Sequence, residues 1–250
     1  MYCRAIHLLQ DCQVLTPEGI TTNELMNGYE ILLNSLSQWI NNVAIVTDIL
    51  ELFAMVADRD IMKDKCILIE QNQLLSYIGQ ALEMHQKEKL VQRAGLQLYE
   101  AILINASEKS QKVFAKMMIK AVVNNLATTN DDPKICYSSY SILCTLAEKM
   151  GDKLAPWVDR ILGLLLTTIS QLFSAELVAK CIQLLEKIAL TQESLYVIVA
   201  HPRCLLVFTD ALGILEAKHM GASITVLEYL LRVLEDESAL AVVRDENDNH

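Results

Sequence analysis

The chain has 250 residues, of which 52% are hydrophobic and 21% charged, and its formal net charge is −10. That apolar content can bury a large core and excludes disorder over most of the length, while 6% aromatics, eight glycines and four prolines are too few for a β-sandwich or barrel. An acidic balance repels phosphate backbones, which excludes nucleic acid as a partner unless a local basic patch overcomes it.

In chain order, MYCRAIHLLQDC meets Arg4, Gln10 and Asp11 too soon for a signal-peptide core. Residues 2–12 read instead as the second helix of a repeat whose first helix is missing. Thr22–Trp39 is predicted as a first helix, introduced by a capping box of Thr21 with Glu24. Asn42–Asp58 follows as its second helix, with Val46, Ile49, Leu50, Phe53 and Val56 on one face. The next pair is Leu68–Glu83 with Leu90–Asn105, whose Leu98, Ile102 and Leu103 share a face. Lys112–Ala127 and Ile135–Met150 form the third, with Asp132 as N-cap, Pro133 as first helical residue and Gly151 as the C-terminal stop. The fourth is Trp157–Leu172 with Ala175–Leu190, and the fifth Cys204–Glu216 with Met220–Glu235, Pro156 and Pro202 standing where the first helices begin. Gly95 and Gly163 fall inside helices, at a cost of about 1 kcal/mol each relative to Ala, and close helix packing is the expected compensation. Residues 1–240 read as one helical-repeat domain, and 241–250 as an acidic, frayed tail.

The predicted second helices carry anchors at Val56, Ile102, Leu146, Ile188 and Leu230, separated by 46, 44, 42 and 42 residues. Leu36, Leu82, Leu126, Ile169 and Leu212 recur at nearly the same interval in the first helices. That interval belongs to solenoids of stacked helical hairpins, which bury one side of each unit on its neighbours and leave a helix layer outward for another macromolecule. Ile6, Leu8 and Leu9 offer no polar cap at the start, so the chain is expected to be part of a longer protein or complex.

The segments VQRAGLQLYEAILINAS (91–107) and AKCIQLLEKIAL (179–190) resemble the last helix of armadillo and HEAT repeats, a likeness that spans roughly residues 23–235. It implies an all-α, right-handed α-α superhelix of about five repeats, the first incomplete, acting as a non-enzymatic scaffold for a protein or peptide partner. Armadillo proteins that grip extended peptides carry an asparagine ladder; here the matching positions read Met55, Ala101, Thr145, Lys187 and Tyr229. The import-signal mode of binding is therefore not implied. A second reading within the resemblance is the client-binding half of a tetratricopeptide-containing co-chaperone or assembly factor, of the myosin- or dynein-assembly kind.

Candidate contact residues are Thr145, Lys187 and Tyr229 at the vacant ladder positions, and Lys109, Lys112, Lys116 and Lys120, spaced along one face of a first helix. The competing reading of the lysines is an ordinary solvated face. Trp39 and Trp157 suit either a partner anchor or the seal between repeats, and the methionines suit core gap-filling. The acids at 58–60 and 235–237 lack the spacing of a calcium loop. The five histidines show no metal-ligand spacing, no nucleophile or nucleotide motif occurs, and His201-Pro202-Arg203-Cys204 lacks the base and orienting group of a thiol site. No catalysis, metal or cofactor is expected. Seven scattered cysteines without a CxxC pair and no apolar run of about 18 residues point to a reducing compartment, cytoplasmic or nuclear, and no membrane partner.

Overall fold

The computed structural model describes residues 22–57, 72–105, 108–171, 174–188, 204–215 and 219–235, together with Ile198. Among the described residues the regular structure is entirely helical. The helices are α1 (Thr22–Gln38), α2 (Val43–Ala57), α3 (Asn72–Met84), α4 (Lys89–Asn105), α5 (Glu108–Thr128), α6 (Pro133–Leu154), α7 (Val158–Ser170), α8 (Ala175–Ile188), α9 (Cys204–Ile214) and α10 (Met220–Glu235), with a 3-10 turn at Ala155–Trp157. Packing divides the chain into two compact units, residues 1–121 and 122–250, and the division falls inside α5.

In the first unit α1 packs on α2 and α3 on α4, while α1 lies beside α3 and α2 beside α4. Two hairpins thus meet like to like. The apolar spacing explains the arrangement, because α2 buries Val46, Ile49, Leu50 and Phe53, and α4 buries Val91, Leu98, Ile102 and Leu103. Tyr29 of α1 meets Phe53 of α2 edge to face, ring centroids 5.4 Å apart. Polar groups at the turns are absorbed locally. The Gln92 amide donates to the carbonyls of Leu82 and His85, both at 2.8 Å, which supplies partners to the open C-terminal end of α3. His85 Nε2 lies 2.6 Å from the carbonyl oxygen of Ile40, so the turns that end the two first helices are hydrogen-bonded across one repeat interval.

The second unit repeats the plan. α7 packs on α8 and α9 on α10, α7 lies beside α9, and α8 lies between α6 and α10. Asp132 starts α6 as the spacing predicts, its Oδ1 accepting from the backbone N–H of Lys134 at 3.1 Å and of Ile135 at 3.2 Å. The buried Tyr140 hydroxyl of α6 and Thr168 Oγ1 of α7 are hydrogen-bonded at 2.9 Å. Such a bond removes the penalty of burying two hydroxyls in an otherwise apolar seam. Phe208 of α9 stacks on Tyr229 of α10, centroids 6.1 Å apart and planes at 17°.

Of the repeat markers, Leu36, Leu82, Leu126, Ile169, Ile102 and Leu146 are buried, while Leu212, Ile188 and Leu230 are half-buried and the Val56 side chain lies outside the described residues. Two local expectations fail. Gly151 does not stop its helix, since α6 runs on to Leu154 and ends at the Pro156 turn, where a proline ring rather than a left-handed glycine interrupts the ladder. Gly163 is not a close-packing site either, because a Cβ added there would meet nothing within 4 Å. Gly95 is one: its Cβ would stand 2.7 Å from Leu82 Cδ2 and 3.1 Å from Leu82 Cγ. The capping box at Thr21, residues 2–12, Pro202 and the tail at 241–250 lie outside the described residues.

The two glycines make opposite predictions. Gly163→Ala gains helix propensity without a clash and should stabilise by roughly 0.5–1 kcal/mol. Gly95→Ala drives a methyl into a buried leucine and should destabilise on the order of 1 kcal/mol after the same propensity gain is subtracted. Urea unfolding of the two variants beside the parent chain checks the signs.

Candidate functional site

The second helices of the second unit, α6, α8 and α10, lie side by side and leave an open groove of about 410 Å³ along their outer side. It is lined by Tyr137 of α6, by Glu176, Lys180, Gln183 and Glu186 of α8, and by His219 and Ala222 at the start of α10, with Ala179 and Gly221 completing the floor. Each side chain is there because of its helix register. Ile135, Cys136, Ser139 and Tyr140 turn inward on α6, which leaves Tyr137 exposed. On α8, Leu177, Val178, Cys181, Ile182, Leu184 and Leu185 turn inward, which puts Glu176, Lys180, Gln183 and Glu186 on the other face.

These groups hold each other weakly. The Lys180 ammonium sits 5.6 Å from the Tyr137 ring centroid, a cation–π distance, and donates to Gln183 Oε1 at 3.0 Å. His219 Nε2 is buried in the wall of the groove and has no hydrogen-bond partner among the described residues. A buried imidazole nitrogen without a partner costs on the order of 1–3 kcal/mol, and a donor or acceptor entering the groove would recover part of it. At the far end of the same face, Lys187 of α8 is ion-paired with Glu148 of α6. The hydrogen bond from Lys187 and then its charge hold the Glu148 carboxyl below the usual carboxylate range.

Behind the groove, burial raises every described thiol. Cys136 is pushed up to about 12, first by burial and then by the carboxylates of Asp132 and Asp131. Burial likewise pushes Cys144 up to about 11 and Cys181 well above the ordinary thiol range. All three are free cysteines inside the helix pack, and a protonated, water-shielded thiol behaves as a small hydrophobe rather than a nucleophile. Among the described residues no group of three or more His, Cys, Asp or Glu side chains could hold a metal ion, and no helix is long and apolar enough to cross a membrane.

The residues singled out by sequence fall in different places. Lys187 is engaged with Glu148, and Thr145 is half-buried with its hydroxyl donating to the Ser141 carbonyl of its own helix at 3.1 Å. Tyr229 is only 2% exposed, because it stacks on Phe208 inside the α9–α10 hairpin, and it presents no surface to a partner. Lys116 and Lys120 are exposed on α5, while the side chains of Lys109 and Lys112 on the same helix lie outside the described residues. Trp39 is exposed in the turn after α1, and Trp157 is half-buried in the 3-10 turn. His201 lies outside the described residues. None of the contact candidates lines the groove. A usable signal did exist: Tyr137, Lys180 and Ala222 stand 43 and 42 residues apart, the repeat interval carried by outward rather than inward positions.

The chain matches no family model, no curated protein and no solved structure.

Two measurements follow from this chemistry. Iodoacetamide at about pH 8 should leave Cys136, Cys144 and Cys181 unmodified in the folded protein and label them in urea, as read by peptide mapping. Lys187→Met should cost no more than about 1 kcal/mol near neutral pH, since Glu148 is half-exposed and water screens the pair. Because the folded Glu148 carboxyl titrates below its unfolded value, that contribution is complete above the unfolded value and disappears as pH falls through the folded one. Denaturation midpoints of parent and variant should therefore converge in acid.

Proposed function

We propose that the protein is a non-enzymatic interaction scaffold whose helical hairpins stack as armadillo- or HEAT-type repeats in a right-handed superhelix, and that the α6/α8/α10 face takes an extended segment of a protein partner. The repeat interval of 42 to 46 residues and the like-to-like packing of hairpins within each unit support the repeat architecture. The observation that carries the binding reading is the groove itself. It is open rather than enclosed, crosses three helices, and combines an exposed aromatic, two carboxylates, an amide and a buried imidazole nitrogen without a partner.

Those groups suit a peptide better than a reaction. A backbone amide or carbonyl laid along the groove could meet Gln183 and His219, while a side chain could rest on Tyr137 once the Lys180 ammonium swings aside. With no asparagine ladder, contacts of this kind would take the place of the paired amides that armadillo proteins use. The buried thiols offer no competing nucleophile.

Site-specific photo-crosslinking tests this reading. A photoreactive residue at Gln183, in the groove, should yield discrete cross-linked partner peptides in the native cell, and one at Arg160, exposed on α7, should not. The adducts at 183 should fall severalfold when Glu176→Arg and Glu186→Arg are introduced together. Equal yields at both positions, or adducts indifferent to the charge reversal, would remove the groove as the binding surface.

A further inference from the structure

α10 is apolar on two opposite sides. One side carries Thr225, Val226 and Tyr229, all buried, and packs on α8 and α9. The other carries Met220, Ile224, Leu227 and Leu231, which are 66%, 51%, 50% and 57% exposed. Their spacing is four, three and four residues, and Leu234 continues it in the sequence. At 3.6 residues per turn the four lie in a stripe about 60° wide, directly opposite the buried side. Single exposed leucines are ordinary, but four large ones in line along three turns are not.

A stripe this narrow, with alternating steps of four and three, is the seam of one helix against another, not the broader face that a helix turns to a globular core. Its flanks indicate the partner's charge. Glu228 and Glu235, both exposed, border the stripe on one side, and Ser223 and Leu230 on the other. Arg232, the one base of the helix, stands about 40–60° further round on the same side, beyond those two glutamates. We infer that the stripe on α10 is a docking seam for an amphipathic helix of another protein, one whose apolar residues repeat every three and four positions and whose flanking positions carry Lys or Arg.

A second copy of this chain fits less well. Antiparallel pairing of two α10 helices sets the acidic flanks against each other, and parallel pairing sets Glu228 and Glu235 against Ser223 and Leu230, with no countercharge in either case. The segment 236–250 fits less well too: its apolar residues Ala239 to Val243 are consecutive and it carries one base, Arg244. The seam is independent of the proposed groove, which reaches α10 only through Gly221, Ala222 and the neighbouring His219.

The probe is a synthetic helical peptide of about three heptads with Leu at its seam positions and Lys at both flanks, together with a twin carrying Glu at the flanks. Fluorescence anisotropy against the full chain at low salt should show the Lys peptide binding at least about tenfold tighter than its twin, with the ratio shrinking as salt is raised. Ile224→Gln with Leu227→Gln should weaken the Lys peptide more than about tenfold while far-UV circular dichroism stays unchanged, since both side chains are exposed and the substitution keeps helix propensity. Equal binding of the two peptides, or binding untouched by the double substitution, overturns the assignment. So does a dimer in sedimentation that Leu227→Gln dissociates, which would make a second copy the occupant. Deletion of 236–250 should leave Lys-peptide binding within about twofold, and a large gain would make that segment the occupant instead. Because Gln183 cross-linking does not touch the seam, either result can fail without the other.

Discussion

Second helices such as α2 and α8 have to satisfy two kinds of neighbour at once, their own first helix and a second helix beside them in the same unit. α8 shows the demand most fully, packing on α7, on α6 and on α10. It meets it with seven buried residues among fourteen, including Leu177, Val178, Ile182, Leu184 and Leu185. Full burial of an aliphatic side chain contributes about 1.5–3 kcal/mol, so the loss of one neighbour would leave several such contributions unmade. Turns, capping groups and surface chemistry are all arranged around this lateral burial.

Among the described residues, most polar atoms in the seams have a partner close by, the buried Ser139 Oγ of α6 being an exception. The Tyr99 hydroxyl of α4 donates to the Leu75 carbonyl of α3 at 3.3 Å, and Thr129 Oγ1 bonds Asn125 Oδ1 at 2.7 Å. The same low-polarity surroundings that make these bonds worth having keep the three buried thiols protonated. The groove side of α6, α8 and α10 is different because water reaches it. There charges and an aromatic can coexist at cation–π and ion-pair distances without the desolvation that would make them costly.

Much of the helix plan could be read from residue spacing. Met220–Glu235 matches the predicted bounds, and most other helices agree within a few residues, because the apolar period and a cap such as Asp132 are local instructions. Gly163 and Gly95 could not be told apart that way, since both sit mid-helix and only the approach of Leu82 separates them. The candidate site was less legible. Choosing contact residues by the vacant ladder positions led to Tyr229, which is inside, and to Lys187, which is paired with Glu148. Tyr137 and Lys180 were missed because the interval of 43 residues that relates them was followed only at inward positions.

The residues alone determined that helices form, roughly where they lie and which stripes are apolar, because backbone hydrogen bonding imposes a 3.6-residue period that each segment displays by itself. They did not determine which apolar stripe is covered. On α10 the side with Val226 and Tyr229 and the side with Ile224 and Leu227 are both well spaced for burial, and only the placement of α8 and α9 separates them. Likewise, Tyr137 and Lys180 meet only after α6 and α8 have packed, 43 residues apart in the chain. Burial and surface pairing depend on neighbours supplied from one repeat away, and that information belongs to the packed helices rather than to any one of them.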